Sequence, residues 1–204
     1  MLAQLHMALV LLPVLQKTSL AGTPSRIVFM SSSAHSSAPK SVRFASVEEL
    51  NTDLGQTDLY YRSKLAQILI TRELAWRIGN SQAGSLAEKG EVLVNATHPG
   101  DLVWTPLIEE LGRNLGWKGW LMLFFCWPFM PDAMKVGCRS ALFAGTPNMD
   151  LLAGRGINGQ YIVPDKKIES PSEKARDPEM GKRVWKLSMS LLEEKLGKVA
   201  YTFA

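Results

Sequence analysis

The sequence predicts an α/β fold in which a parallel β-sheet lies between layers of helices. Three short apolar runs, at 26–30, 91–97 and 159–163, have the composition of buried strands. Longer segments with a helical spacing of apolar residues separate these runs. Strands that are apolar on both faces and alternate with helices are typical of a parallel sheet covered on both sides. In such folds, ligands bind at the carboxyl edge of the sheet.

Helices are predicted before, between and after these strands. The first ends near Lys17 and is apolar on nearly every side, and such a helix is normally buried. The helix after the first strand begins at Thr57 or Asp58, either of which can cap it, and runs to about Ile78. Three more helices are expected to begin near Pro106 and to cover 132–144 and 177–197.

The composition is that of a single globular domain. The net charge of +4 comes from scattered Lys and Arg, so nucleic-acid binding is not indicated. Cys126 and Cys138 are the only two cysteines, and their spacing predicts neither a disulfide framework nor a metal site. We therefore expect an intracellular, cytoplasmic protein without a metal.

Two apolar stretches bear on membranes. Residues 1–15 lack the preceding basic residue of a signal peptide. The run 120–130 has 11 residues, well short of the roughly 20 that span a bilayer. No transmembrane span is predicted. The second run is interpreted either as a buried lid or as an interfacial segment in peripheral contact with a membrane.

Polar residues that could carry chemistry follow the first two predicted strands. The serines at 31–33 come after the first strand, and the turn at 98–100 comes after the second. On the helix between the strands, Tyr60 and Lys64 lie one turn apart on the same face. An ammonium group beside a phenol favours the phenolate, so such a phenol can exchange a proton near neutral pH. A nearby serine hydroxyl can hold the oxygen that gains or loses that proton.

Each of these signals is weak alone. A Tyr-x-x-x-Lys spacing arises often by chance, and a tyrosine on a helix is more often a packing residue than a reactive one. A Pro-Gly pair after a strand is usually only a turn. The order of all three along the chain is much more specific.

That order resembles the short-chain dehydrogenase/reductase family, in particular its retinol-dehydrogenase-like and WW-domain-oxidoreductase-like members. The matching stretches are 25–35, 60–69 and 94–100, and 159–162 resembles the family's last strand. The resemblance implies a three-layer Rossmann-like, NAD(P)-binding fold. It also implies that 1–204 corresponds to the C-terminal part of that fold only.

The resemblance implies roles for the tyrosine and the lysine. Tyr60 matches the family's proton donor or acceptor, with Tyr61 as the alternative if the register slips by one. Lys64 matches the residue that makes the phenol more acidic and holds the ribose hydroxyls of the nicotinamide. Tyr60 and Lys64 therefore count as both catalytic and cofactor-binding residues.

The resemblance also implies roles for residues after the strands. Ser32 matches the serine that positions the substrate oxygen, with Ser31 and Ser33 as alternatives. Pro99 and Gly100 match the turn that lies against the nicotinamide.

Beyond that turn the sequence departs from the family pattern Pro-Gly-x-Val-x-Thr. The threonine, Thr105, comes one residue late. Either Leu102 takes the valine position, or a one-residue bulge restores Val103 and Thr105. All three are kept as candidate cofactor-binding residues.

The glycine-rich turn that binds the cofactor's pyrophosphate in this family is not found. The GxGxxG pattern at 154–159 precedes a strand instead of following one, so it is interpreted as a loop. Residues 11–15 resemble the end of the family's central helix, so four of the usual seven strands are expected to be missing. The first strand would then lack a neighbour on one side, and we expect the chain alone to be weakly stable and nearly inactive.

The resemblance implies an NAD(P)-dependent oxidoreductase that interconverts an alcohol and a carbonyl on a small apolar substrate. The cofactor is expected to be NAD or NADP, with NADP slightly favoured. The apolar segment 115–131 matches the family's substrate loop. The alternative is a non-catalytic remnant that forms a homodimer or pairs with a full-length relative.

Overall fold

The structure is a computed structural model that describes residues 1–20, 24–81, 91–100, 113, 116–126, 136–146 and 157–197. Its strands are β1 (Ser25–Met30), β2 (Val92–Thr97), β3 (Tyr161–Val163) and β4 (Lys167–Glu169). Its helices are α1 (Leu2–Ser19), α2 (Val47–Asn51), α3 (Gly55–Ser81), α4 (Gly116–Cys126), α5 (Arg139–Gly145), α6 (Glu173–Arg176) and α7 (Pro178–Leu196). Short 3₁₀ turns cover Ser33–Ser37 and Pro164–Lys166.

The four strands form one sheet in the order β1-β2-β3-β4. The first three are parallel, and β4 runs antiparallel to β3. Within the described part of the chain, β1 has a neighbouring strand on one side only, as the sequence predicted. Strand β4 was not predicted, because its three residues are all exposed and only Ile168 is apolar.

The side chains of each strand alternate between the two faces of the sheet, and each face packs against its own core. Towards α1, α3 and α7 the sheet presents Ile27, Phe29, Val92, Val94, Ala96, Tyr161 and Val163. Towards α5 it presents Val28, Leu93 and Ile162. Since successive side chains of a strand point to opposite faces, helices cover both sides of the sheet. The predicted three-layer, Rossmann-like α/β class is confirmed.

The first helix is only partly buried. Leu5, Leu9 and Leu12 have no exposed surface and pack in the main core. On the opposite face, Met7 and Val14 are well exposed. The expectation of an all-round buried helix is therefore wrong, since one layer of neighbours covers one face only.

The helix that carries the candidate tyrosine and lysine begins earlier than predicted. It starts at Gly55, whose N–H donates to the Asp53 carboxylate at 2.8 Å, and not at a cap formed by Thr57 or Asp58. Its inner face buries the predicted residues Leu65, Ile68, Leu69, Leu74 and Ala75. This burial holds α3 against the sheet.

A carboxylate organises the loop that precedes α3. Glu49 accepts backbone N–H donations from Arg43, Phe44 and Ala45 at 2.7, 2.9 and 2.8 Å. Burial raises the pKa of Glu49, but these N–H donors outweigh burial and bring it below its usual value. Arg62 of α3 donates to the carbonyls of Glu49 and Leu50, which ties this loop to the helix.

None of the helices in the described ranges is both long and apolar enough to cross a bilayer.

Candidate active site

The carboxyl ends of β1 and β2 lie side by side. Met30 pairs with Thr97 at the last position of the ladder, and the Ser31 N–H donates to the Thr97 carbonyl at 2.7 Å. The residues that follow, Ser32 on one strand and His98 on the other, therefore leave the sheet at the same edge. The two loops that carry candidate site residues therefore meet at the carboxyl edge of the sheet.

Lys64 reaches this edge from α3. Its ammonium Nζ donates to the Met30 carbonyl at 3.1 Å, and its own carbonyl accepts from the Ser31 hydroxyl at 2.9 Å. Burial lowers the pKa of Lys64. The two bonds fix α3 against the end of β1, so the ammonium group is held where the serine loop begins.

Tyr60 lies one helical turn before Lys64, and the two side chains are close. The ammonium Nζ is 5.4 Å from the centre of the Tyr60 ring, and Tyr60 is half-buried. The ring of Tyr61 is centred 6.2 Å from that of Tyr60 and packs against the main core. Tyr60, and not Tyr61, is thus the tyrosine next to the ammonium group.

The serine loop begins with a cap. Ser32 precedes the 3₁₀ turn, and its hydroxyl oxygen accepts from the Ala34 N–H at 3.2 Å. In the ranges that the structure describes, no acceptor takes the Ser32 O–H itself, so this proton is available to a bound oxygen. Ser31 differs, because it is buried and its hydroxyl donates to the Lys64 carbonyl.

A buried histidine holds the serine loop in place. The Nε2 atom of His35 accepts from the Ser172 N–H at 3.0 Å, so the proton of the neutral ring is on Nδ1, which donates to the Ser32 carbonyl at 2.8 Å. Burial lowers the pKa of His35, which favours this neutral form. His35 therefore connects the serine loop to the chain before α6.

The turn after β2 is held from three directions. The Gly100 N–H donates to Nδ1 of His98 at 3.0 Å, and the Ser140 hydroxyl of α5 donates to the His98 carbonyl at 2.6 Å. The His98 ring stacks on Tyr161 with centroids 5.7 Å apart. Gly100 has a φ of +112°, which a residue with a side chain rarely adopts. The Pro99–Gly100 turn is thus a defined element of the site.

Several residues that hold the site were not found from sequence. Ser140 and Tyr161 gave no signal, because their partners lie tens of residues away. Asn95 is buried in β2, where its amide donates to the Ile157 carbonyl at 3.1 Å and accepts from the Gln160 N–H at 2.9 Å. An asparagine within an apolar strand was the available hint.

Some predicted residues cannot be placed. Leu102, Val103 and Thr105 lie outside the described residues, as does the helix expected near Pro106. Of the segment 115–131, residues 116–126 are described and form α4.

The arrangement suits proton transfer at an oxygen. It combines a half-buried phenol, an ammonium group beside it and, at one edge of a parallel sheet, a hydroxyl whose proton has no acceptor among the described residues. A nicotinamide cofactor fits this donor set, since Lys64 offers a cation and the Pro99–Gly100 turn offers backbone with no side chain at Gly100. Within the described ranges, no group of His, Cys, Asp and Glu side chains could hold a metal ion.

The chain is similar over most of its length to proteins named as oxidoreductases or dehydrogenases. It is 34% identical over 186 residues to the protein of Neurospora crassa named as the mitochondrial oxidoreductase bli-4, covering 91% of this chain and 42% of that protein. It is 29% identical over 180 residues to retinol dehydrogenase 13 of Mus musculus, covering 84% and 46%. It is 31% identical over 199 residues to the dehydrogenase/reductase SDR family member FEY of Arabidopsis thaliana, covering 92% and 48%.

The fold and these relatives first define the class of protein, an α/β protein related to oxidoreductases. The relatives are short-chain dehydrogenase/reductases, and the chain belongs to that family, as its motifs predicted. It spans less than half the length of these relatives. No protein-family model matches the chain.

A solved structure with a similar fold supports this architecture. A crystal structure of an uncharacterised protein from Mycobacterium paratuberculosis matches with a TM-score of 0.51 and 22% identity. The match covers 83% of this chain and 50% of that chain. It supports the fold class alone.

Proposed function

We propose that the chain carries the catalytic residues of an NAD(P)-dependent oxidoreductase that interconverts an alcohol and a carbonyl. The observation that carries the proposal is the position of the Lys64 ammonium group, 3.1 Å from the Met30 carbonyl and 5.4 Å from the Tyr60 ring. That position joins the helix motif to the end of the serine strand. This contact supports the proposal that the two motifs, about 30 residues apart in the sequence, belong to one site.

Each side chain has a distinct role in this proposal. During oxidation, Tyr60 takes the proton of the substrate hydroxyl while Ser32 donates a hydrogen bond to the same oxygen. Lys64 would place a positive charge beside the Tyr60 ring while the proton moves. A bound nicotinamide would accept the hydride from the carbon in oxidation and return it in reduction.

The same residues would hold the cofactor. Lys64 would bind the ribose hydroxyls, and the Pro99–Gly100 turn would lie against the nicotinamide ring. We extend the proposal to Leu102, Val103 and Thr105 on the family pattern alone. Either NAD or NADP is compatible with these residues, with NADP slightly favoured.

The proposed substrate is a small apolar alcohol or carbonyl compound. The name of the mouse relative states retinol as its substrate. In this chain, α4 lies within the segment that matches the substrate loop and is rich in Trp and Phe. The apolar composition of that segment supports an apolar substrate.

The test follows reduced nicotinamide formation by the purified chain with retinol or a shorter apolar alcohol and saturating NAD or NADP. A low rate is expected, since no glycine-rich phosphate-binding turn is found in the sequence. Tyr60→Phe should lower this rate about 10²- to 10⁴-fold, because the proton acceptor is lost. Tyr61→Phe is the matched control and should retain the rate.

Cofactor binding can be measured separately from turnover, through the melting temperature. NAD or NADP should raise the melting temperature of the wild type and of Tyr60→Phe, and Lys64→Met should reduce that rise. Equal rates in Tyr60→Phe and Tyr61→Phe would refute the catalytic assignment. If the chain shows no turnover and no stabilisation by either cofactor, the oxidoreductase proposal for this chain is refuted.

A second candidate function, pairing with another copy of the chain, is favoured by α1. Met7, Val10, Leu11 and Val14 are exposed and lie at spacings of three, one and three residues, so they form one apolar stripe. In this family the helix before the serine strand commonly lies in the dimer interface. Light scattering should show a dimer, and Val10→Lys with Val14→Lys should give a monomer of unchanged helix content.

A further inference from the structure

Helix α4 has its apolar face turned outward. Trp117, Trp120, Leu121, Phe124 and Phe125 are between 50 and 74% exposed. Their spacing of three, one, three and one residues places them on one side of a helix. Gly119 and Leu123, four residues apart, are buried and form the opposite side.

This orientation is the reverse of that in an ordinary surface helix. A helix on the outside of a water-soluble domain buries its apolar residues and exposes charged ones. Here two indoles, two phenyl rings and a leucine face outward together, and single exposed apolar residues are common whereas contiguous aromatic patches are not. The outer face of α4 therefore requires an apolar environment to cover it.

The charge on α4 indicates which environment. Helix α4 contains one charged residue, the basic Lys118, and no acidic residue. Lys118 lies on the helix itself, with its ammonium group 5.9 Å from the Trp117 ring. A basic group beside an indole is typical of the boundary between lipid headgroups and acyl chains, where anionic lipids attract the cation.

We infer that α4 is an interfacial helix that lies in the surface of an anionic lipid bilayer and inserts its outer aromatic face. With 11 residues, the helix is about 16 Å long, too short to span the hydrocarbon core but sufficient to lie in its surface. Apart from the two indole N–H groups, the outward side chains offer no hydrogen-bonding atoms. That chemistry suits acyl chains better than a protein interface, which is rich in polar contacts. The inference does not depend on the proposed oxidoreductase activity.

The experiment is flotation of the purified chain with vesicles made of equal parts phosphatidylcholine and phosphatidylserine. The wild type should float with the vesicles, and Phe124→Ser with Phe125→Ser should lower the partition coefficient at least about tenfold. The matched control is Trp76→Ser with Leu142→Ser, which removes two exposed apolar residues from α3 and α5. This control should float like the wild type, and circular dichroism checks the fold of each variant.

The charge contribution is tested separately. Lys118→Glu should weaken binding to the mixed vesicles by roughly thirtyfold, since a cation near the surface is replaced by an anion. Vesicles of phosphatidylcholine alone should bind the wild type less well, and high salt should remove most of that difference. Equal binding to both kinds of vesicle would overturn the assignment to an anionic surface.

Fluorescence locates the inserted face without destabilising substitutions. Lipids brominated in their acyl chains should quench the tryptophan emission of the wild type. Trp117→Phe with Trp120→Phe keeps the face apolar but should abolish most of this quenching. A wild type that does not float, a Phe124→Ser/Phe125→Ser variant that floats unchanged, or quenching that survives the two Trp substitutions would each overturn the inference.

Discussion

The buried His35 should make stability depend on pH. Its neutral ring accepts from the Ser172 N–H at 3.0 Å and donates to the Ser32 carbonyl at 2.8 Å. Protonation of Nε2 removes the acceptor, because the imidazolium N–H then points towards the Ser172 N–H. The first of these two bonds is then lost, and the Ser172 donor is left without its partner.

The direction of the pKa shift decides whether stability rises or falls with pH. Burial lowers the pKa of His35 in the folded state, so the unfolded chain binds the proton more readily. The contribution of neutral His35 is therefore fully present above the unfolded pKa of about 6.5 and is lost as pH falls below it. A donor left unsatisfied costs about 1–3 kcal/mol, and the binding of one proton with an unfolded pKa of about 6.5 limits the loss at about pH 5 to about 2 kcal/mol.

The assay is urea unfolding of the wild type and of His35→Gln between about pH 8 and about pH 5. The wild type should lose about 1–2 kcal/mol of unfolding free energy over this range. His35→Gln, which does not titrate there, should start less stable and lose clearly less. Parallel pH profiles for the two proteins would refute the role assigned to this histidine.

Three further predictions concern residues that hold the fold and the site. Glu49→Gln should destabilise the chain by about 1–3 kcal/mol in urea unfolding, because an amide oxygen cannot replace a carboxylate that accepts from three backbone N–H groups; an unchanged midpoint would contradict this. Gly159→Ala should lower the melting temperature, since Gly159 has a φ of +70° and a Cβ there would lie 3.3 Å from the Cβ of Ala75; Gly79→Ala, with open space around it, is the control. Ser140→Ala should weaken stabilisation by NAD or NADP more than it lowers unfolding free energy, because its hydroxyl holds the turn after β2. Equal losses in both measurements would mean a purely structural role.

Parts of the fold and site could be predicted because their signals are local. The strands β1 and β2 are short and largely apolar, and α3 carries its apolar residues at helical spacing. Tyr60 and Lys64 are neighbours on any helix, since residues four apart share a face. The start of α3 was missed because the Asp53 side chain competes with the expected caps, and β4 was missed because three exposed residues carry no pattern.

The sequence by itself determined the alternation of strands and helices, the family motifs and the pairing of Tyr60 with Lys64 along one helix. Only the tertiary structure decided that the Lys64 ammonium group meets the Met30 carbonyl, that His35 bonds to Ser172, and that the aromatic side of α4 faces outward. These features depend on contacts between segments far apart in the chain, such as the 137 residues between His35 and Ser172. Local periodicity shows which side of a helix is apolar, but what that side contacts is decided by the packing of all the other elements.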